Sequence, residues 1–485
     1  MLYYSYPKSE NPHQRGNEMP IIYDEKKRVF KLDTPNTTYA FHVTNSNHLL
    51  HLYYGASIPE TDITHMLRIP NDEPFVPSTH DGMGPHSFDC AAIEFPTSGV
   101  ADFREPCMQL MDKYGMSACE CYYDSYAIYK GKKKLEGLPA TYANTDDEVT
   151  SLEVYCKDPH NGLEITLQYS VFEKLDVITR SVKVKNGGAD PIELRRLLSA
   201  CVELDSKDYD MITLYGTWAR ERHVQRNPLH FGKQLVDSCR GATSHAHNNF
   251  IAIVDHKATE DYGDCYGFAL CYSGSFVAGC EVNQYEKTRV FSGINPYDFS
   301  WHLDLGEEFQ APEVIMVFSA SGIGTMSRTF HDVMRNNLTR GKWKDIRRPI
   351  LINNWEATYF NFDTDKLLDI ARESAKAGIE MLVMDDGWFG HRNDDKSSLG
   401  DWFVNEDKIK GGLKHLVDEV NKLGLKFGIW FEPEMISPDS ELYKAHPDWC
   451  IHIPGRPRTT CRSQLVIDFS RKDVRDYIYL SLIHI

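Results

Sequence analysis

From about residue 20 to residue 330, apolar and polar side chains alternate with a period of two. Leu163, Ile165, Leu167, Tyr169 and Val171 interleave with Glu164, Thr166, Gln168 and Ser170, the pattern of an extended strand with one face buried. Ile178, Val182 and Val184 carry the alternation on to Asn186-Gly187-Gly188, which reads as a turn. Similar short strands are expected over 250–255, 267–272 and 314–318. Long helical patterns are few, so this part of the chain is expected to form a large antiparallel sandwich.

The period changes over 321–341. Met326, Phe330, Val333 and Met334 fall at helical spacing, and a basic segment, 342–348, follows. Beyond it strands and helices alternate. Residues 351–355 read as a strand. Asp363 is placed to cap a helix with Leu367, Ile370, Ala371 and Ser374 on one face and Gly378 at its end. Residues 379–384 are almost all apolar, as in a parallel strand covered on both faces. A second helix carries Leu413, Leu416, Val417, Val420 and Leu423 and stops at Gly424. A third strand is expected at 426–431, a third helix at 440–446 and a fourth strand at 465–469.

This βαβα order implies a parallel sheet or barrel. A complete (β/α)8 barrel takes about 250 residues, and 349–485 is little more than half of that. The expected architecture is therefore multidomain, β followed by α/β: a sandwich over 19–330, a helical and basic linker over 331–348, and the first half of a (β/α)8 (TIM) barrel over 349–485. Residues 471–476 open an amphipathic helix that runs into Leu480-Ser481-Leu482-Ile483-His484-Ile485, nearly all apolar and without a cap. That end reads either as a buried terminal helix or, by preference, as a truncated or frameshifted reading frame.

Charge narrows the function. Lys and Arg number 53 against 70 Asp and Glu, a net charge of −17 over 485 residues. Such a balance argues against nucleic-acid binding, which depends on neutralising phosphates, and against an anionic membrane surface. No apolar run approaches the roughly 18 residues of a membrane span. The first 18 residues lack a basic region followed by an apolar one, so no secretory signal is read there. The 12 cysteines are scattered apart from Cys119-x-Cys121, the usage of reduced thiols in a cytoplasmic protein. His245-x-His247 has no partner at ligand spacing and reads as ordinary surface, so no metal ligand is assigned.

In a parallel barrel the functional groups sit at the carboxyl ends of the strands. Three such ends are expected at Trp355-Glu356, at Asp385-Asp386-Gly387-Trp388 and at Trp430-Phe431-Glu432-Pro433-Glu434, and Arg462 precedes the fourth strand. Carboxylates beside indoles suit a sugar: the carboxylates accept from vicinal hydroxyls while the ring packs on the C–H face of a pyranose. A lone Asp-Asp-Gly-Trp equally fits a cap and turn, Glu432 and Glu434 two apart on a strand could pair with an arginine, and Trp402 and Trp449 could be core. Repetition at three successive strand ends carries the functional reading.

At these residues the sequence resembles the α-galactosidases of glycoside hydrolase family 36, from about residue 19 onward. The stretches that carry the likeness include Ala101–Pro106 (ADFREP), Trp218–His223 (WARERH), Gly293–Leu303 (GINPYDFSWHL), Asn353–Phe360 (NNWEATYF), Met384–Gly390 (MDDGWFG), Gly400–Asn405 (GDWFVN) and Trp430–Met435 (WFEPEM). Met19 coincides with the start of such proteins, so residues 1–18 read as a non-native extension. The resemblance implies an N-terminal β-supersandwich, a catalytic barrel and a C-terminal β-domain. It implies retaining hydrolysis of terminal α-galactosides such as melibiose and raffinose, without metal or cofactor, by a homo-oligomer that is often a tetramer. By the same resemblance, Asp385 and Asp386 bind galactose hydroxyls, Trp355 and Trp430 wall the pocket, Arg462 contacts sugar, and Trp218 reaches the pocket from the sandwich domain.

Two departures stand out. Cys461-Arg462-Ser463-Gln464 replaces the usual Gly-Arg-Asn-Gln. The family's nucleophile lies in a Lys-x-Asp-x-Asn segment at the end of the next strand and its acid/base further on, so no residue of this chain is assigned a catalytic role and the chain alone is expected to be inactive. The alternatives are an α-N-acetylgalactosaminidase or raffinose-type transglycosylase of the same family, or a non-catalytic sugar-binding fragment.

Overall fold

The computed structural model describes residues 19–60, 62–67 and 87–485; the extension expected at 1–18 lies outside them. The chain divides into two compact units between Arg340 and Gly341, inside the segment read as a linker.

The first unit is built from antiparallel sheets. Ile21–Asp24, Val29–Asp33, Thr37–Val43 and Leu49–Ala56 form a four-stranded meander. A ten-stranded sheet includes the strands foreseen from alternation: Leu163–Phe172, Val177–Asn186, His247–Asp255, Cys265–Cys271 and Glu313–Ser319. A six-stranded sheet centres on Ile192–Leu204 and Thr288–Ile294. Their apolar faces share one core, with Phe30 and Phe41 from the meander, Leu167 and Val182 from the large sheet, and Leu198 and Phe291 from the third. The helix Gly322–Val333 belongs to this unit and not to a connector: Met326 and Phe330 pack with Ile315 and Val317 of the large sheet.

A buried carboxylate joins the three sheets. Glu94, fully buried, accepts from the hydroxyls of Tyr39 and Tyr169, each at 2.6 Å, and lies 3.1 Å from Arg180 and 3.0 Å from His51 Nδ1. Arg180 in turn donates to the carbonyl of Cys201. Burial alone would raise the Glu94 pKa, but Arg180 and His51 outweigh it and hold the carboxyl below its ordinary range.

The second unit contains a parallel sheet ordered Leu351–Asn353, Met381–Met384, Lys426–Ile429. The helices Thr364–Lys376 and Gly412–Lys422 connect these strands. Asp363 caps the first helix, accepting the Lys366 amide at 2.9 Å, and Leu367, Ala371, Leu416 and Val420 bury their faces against Leu382 and Met384. Two expectations need correction. Met381 and Val383 are only half-buried, so the central strand is fully covered on one face. Leu465–Val466 does not extend the parallel sheet; it pairs antiparallel with Met435–Ile436, a two-residue strand that follows the irregular segment after the third strand. Trp402 and Trp449 are core residues.

Candidate functional site

The parallel strands end side by side: Asn353 is paired with Val383, and Met384 with Ile429. The groups that follow them form the site.

After the first strand, two asparagines act as braces. Asn353 Oδ1 accepts the Trp355 amide at 2.8 Å, and its Nδ2 donates to Asp385 Oδ2 at 2.5 Å. Asn354 Oδ1 accepts the Asp385 amide at 2.8 Å while its Nδ2 donates to Thr358 Oγ1 at 2.8 Å. Side chains thus capture backbone groups that a longer strand would pair. As a result Trp355 begins a one-turn helix, Trp355–Thr358, where the sequence suggested the last residue of a strand. Its half-buried ring meets Tyr359 and Phe360 edge-on, with centroids 5.2 and 5.0 Å away.

After the second strand the adjacent aspartates diverge. Asp385 is half-buried, and its Oδ1 accepts the Asp386 amide at 2.8 Å. Asp386 is 2% exposed and faces Arg392, itself 0% exposed. The guanidinium grips it with Nε at 2.9 Å from Oδ1 and Nη2 at 2.8 Å from Oδ2, the two-pronged geometry that gives such pairs their strength. Trp388 of the same motif is core: it is fully buried among Phe389, Trp402 and Phe431 and donates Nε1 to the Trp430 carbonyl at 3.0 Å.

After the third strand, the Trp430 amide donates to the Met384 carbonyl at 2.9 Å, continuing the ladder by one bond, and its indole is half-buried. Glu432 and Glu434, expected on a strand, lie in the turn beyond it. Glu434 is exposed and Glu432 half-buried. Burial pushes the Glu432 carboxyl above its ordinary pKa, with Arg462 opposing the rise.

Arg462 and Ser463 occupy the two central positions of a tight turn closed by Cys461 and Gln464, whose backbones exchange hydrogen bonds of 3.1 and 2.9 Å. Both central residues are left-handed, at φ +50° and +63°, as a type I′ turn demands. The guanidinium donates to Asp395 Oδ1 at 2.5 Å. That bond, with smaller contributions from Glu432 and Asp386, raises the Arg462 pKa. Trp218 belongs to the first unit: it stands between the hairpin strands Tyr209–Thr217 and Arg220–Pro228 and is 82% exposed.

The second unit therefore sets Trp355, Asp385, Asp386 and Trp430 just beyond three neighbouring strand ends, with Arg462 in electrostatic range of Asp386 and Glu432. The sequence reading assigned no role to Asn353, Asn354, Arg392 or Lys408. The asparagines lie inside the NNWEATYF stretch, so polar residues at a strand end were the available signal. Arg392 and Lys408 sit in irregular segments where no periodicity marks them. Among the described residues no cluster of three or more His, Cys, Asp or Glu side chains is arranged to hold a metal ion.

The chain thus carries a sandwich unit followed by parallel strands whose ends bear carboxylates and indoles. Residues 47–304 match the glycosyl hydrolase family 36 N-terminal domain, and residues 308–485 match melibiase. The chain belongs to glycoside hydrolase family 36. It is 47% identical to the α-galactosidase AgaA of Geobacillus stearothermophilus over 95% of this chain and 63% of that protein. Over 96% of this chain and 64% of the relative, it is 42% identical to the α-galactosidase Mel36A of Lactobacillus acidophilus. The crystal structure of the α-galactosidase AgaB from Geobacillus stearothermophilus superposes with a TM-score of 0.93 at 46% identity, covering 96% of this chain and 64% of that one. Solved structures of AgaA variants hold raffinose and stachyose. The chain thus spans a little under two thirds of the length of these relatives.

Proposed function

We propose that the protein to which this chain belongs hydrolyses terminal non-reducing α-D-galactosyl residues from oligosaccharides such as melibiose and raffinose, with retention of configuration. The observation that carries this reading is the convergence of Asp385, Asp386, Trp355 and Trp430 on three neighbouring strand ends. A carboxylate held in place by an asparagine accepts a pair of sugar hydroxyls, and flanking indoles cover the apolar face of the ring. Arg462, within electrostatic range, adds a donor. Trp218 is proposed as a further sugar-facing ring, from its exposure and its place in the WARERH stretch. These groups bind and orient; none is assigned to bond cleavage. Retention requires a nucleophile and an acid/base about 5–5.5 Å apart, roles that the resemblance places outside these residues.

Homo-oligomers, tetramers by resemblance, belong to this proposal. So does a cytoplasmic location, which the twelve free thiols favour. No helix among the described residues is long and apolar enough to cross a membrane.

The test is hydrolysis of melibiose by the full-length gene product, followed by proton NMR of the released sugar. The expected result is α-galactose appearing before β-galactose, with no measurable turnover by the 485-residue chain alone. A full-length protein that prefers α-N-acetylgalactosaminides, or an active 485-residue chain, overturns the corresponding part of the reading.

A further inference from the structure

Lys408 lies in the irregular stretch before the helix Gly412–Lys422, and nothing about its sequence context singles it out. Its ammonium is turned inward and meets three backbone carbonyls: Phe360 at 3.0 Å, Gly387 at 3.1 Å and Arg392 at 3.2 Å. It also lies 5.2 Å from the centre of the Phe362 ring. An ammonium has three N–H donors and no acceptor, so all three are used. Burial lowers the Lys408 pKa, and Asp386 partly restores it.

The carbonyls come from different places. Phe360 belongs to the segment after the first barrel strand, and its ring is the one that Trp355 meets edge-on. Gly387 directly follows Asp386, and Arg392 is the cation on which the Asp386 carboxylate rests. Gly387 has φ +103°, and a Cβ there would stand 2.9 Å from the Phe360 ring and 3.5 Å from Lys408 Nζ. The two segments thus leave no room for a side chain between them, and the ammonium is their common hydrogen-bond donor.

We infer that Lys408 is a positioning residue of the sugar site: by tying the carbonyls of Phe360, Gly387 and Arg392 to one ammonium, it fixes the spacing between the Trp355 ring and the Asp385-Asp386 pair. The inference rests on the proposed function for the identity of the ligand, and on the hydrogen bonds alone for the tie between the two segments. Lysine suits the place where arginine does not. Three converging carbonyls match the tetrahedral ammonium, whereas a planar guanidinium presents its donors in a fork. A displacement of about 1 Å in such a frame is enough to lose a large factor in binding or rate.

Two variants, Lys408→Met and Lys408→Arg, test this, so that a misfolded methionine variant does not end the experiment. In the full-length enzyme either folded variant is expected to raise KM for p-nitrophenyl α-galactoside at least tenfold, with a smaller change in kcat. A lysine that served only stability would lower the active fraction and leave KM where it was. The second measurement needs no activity: amide hydrogen exchange on the 485-residue chain. Exchange over 358–362 and 387–393 is expected to quicken at least tenfold in the variants, while 163–172 in the sandwich stays unchanged. An unchanged KM, or unchanged exchange in both segments, overturns the assignment of Lys408. A wild-type enzyme inactive on galactosides overturns the proposed function instead, and the exchange result then decides Lys408 by itself.

Discussion

Asp385 and Asp386 are consecutive, yet the structure uses them differently. Asp385 is half-buried; its carboxylate accepts from two neutral donors, the Asn353 side-chain amide and the Asp386 N–H, and its own N–H donates to Asn354 Oδ1. Asp386 is out of solvent and paired with a fully buried guanidinium. Removing one member of a buried pair leaves the other as an uncompensated charge, which costs about 3–5 kcal/mol; losing a hydrogen bond from a neutral donor to a carboxylate costs about 1.5–3 kcal/mol. Asp386→Ala is therefore expected to destabilise the second unit more than Asp385→Ala. Denaturant unfolding of the two variants checks this, and equal midpoints would refute it. Both residues were legible as carboxylates at a strand end. Their asymmetry was not, because it depends on Arg392, and an ion pair across an irregular loop leaves no period in the sequence.

At the scale of elements, what repeats was readable and what bends was not. The helices Thr364–Lys376 and Gly412–Lys422 announced themselves through apolar spacing and, in the first, through Asp363. The strand Met381–Met384 did so through its unbroken apolar run. Trp355 was misplaced by a residue or two because Asn353 and Asn354 end the strand with their side chains. The pairing of Leu465–Val466 was missed because two-residue ladders carry too little pattern to show direction. The turn at Arg462 and Ser463 is the instructive case. Serine holds a left-handed position there, φ +63°, where the family pattern has asparagine, a residue that tolerates that region far better. Cys461, the other departure, is not left-handed and is exposed. Ser463→Gly is accordingly expected to stabilise the turn by about 0.5–1 kcal/mol, while Cys461→Gly is expected to give no such gain. Comparison of thermal unfolding midpoints for the two variants tests this.

On the scale of the whole molecule, the first unit depends on Glu94. Its partners are Tyr39, Tyr169, His51 and Arg180, and Arg180 reaches on to Cys201. Because the folded pKa lies below the unfolded one, the carboxylate contributes stability that is fully present above the unfolded value of about 4.3. That contribution is lost as the pH falls below it, through the folded value. Glu94→Gln is expected to cost about 3 kcal/mol or more at pH 7 and to converge with the wild type in acid. Urea unfolding as a function of pH provides the measurement; a cost independent of pH would contradict it. Alternation alone foretold the sandwich. It was silent on this junction, whose members are scattered from residue 39 to residue 201 and are mostly polar.

That scatter has a consequence for how the chain is made. A ribosome adds about 5–20 residues per second, so Glu94 emerges many seconds before Cys201. Thr288–Ile294, which pairs with Ile192–Leu204, comes later still. Contacts so distant along the chain are slow to form. During synthesis the meander's strands, with Phe30, Tyr39 and Phe41, have their edges and apolar sides open before their partners exist. For that interval the nascent sandwich is prone to aggregate, and it is the form that a chaperone binding extended apolar segments would hold.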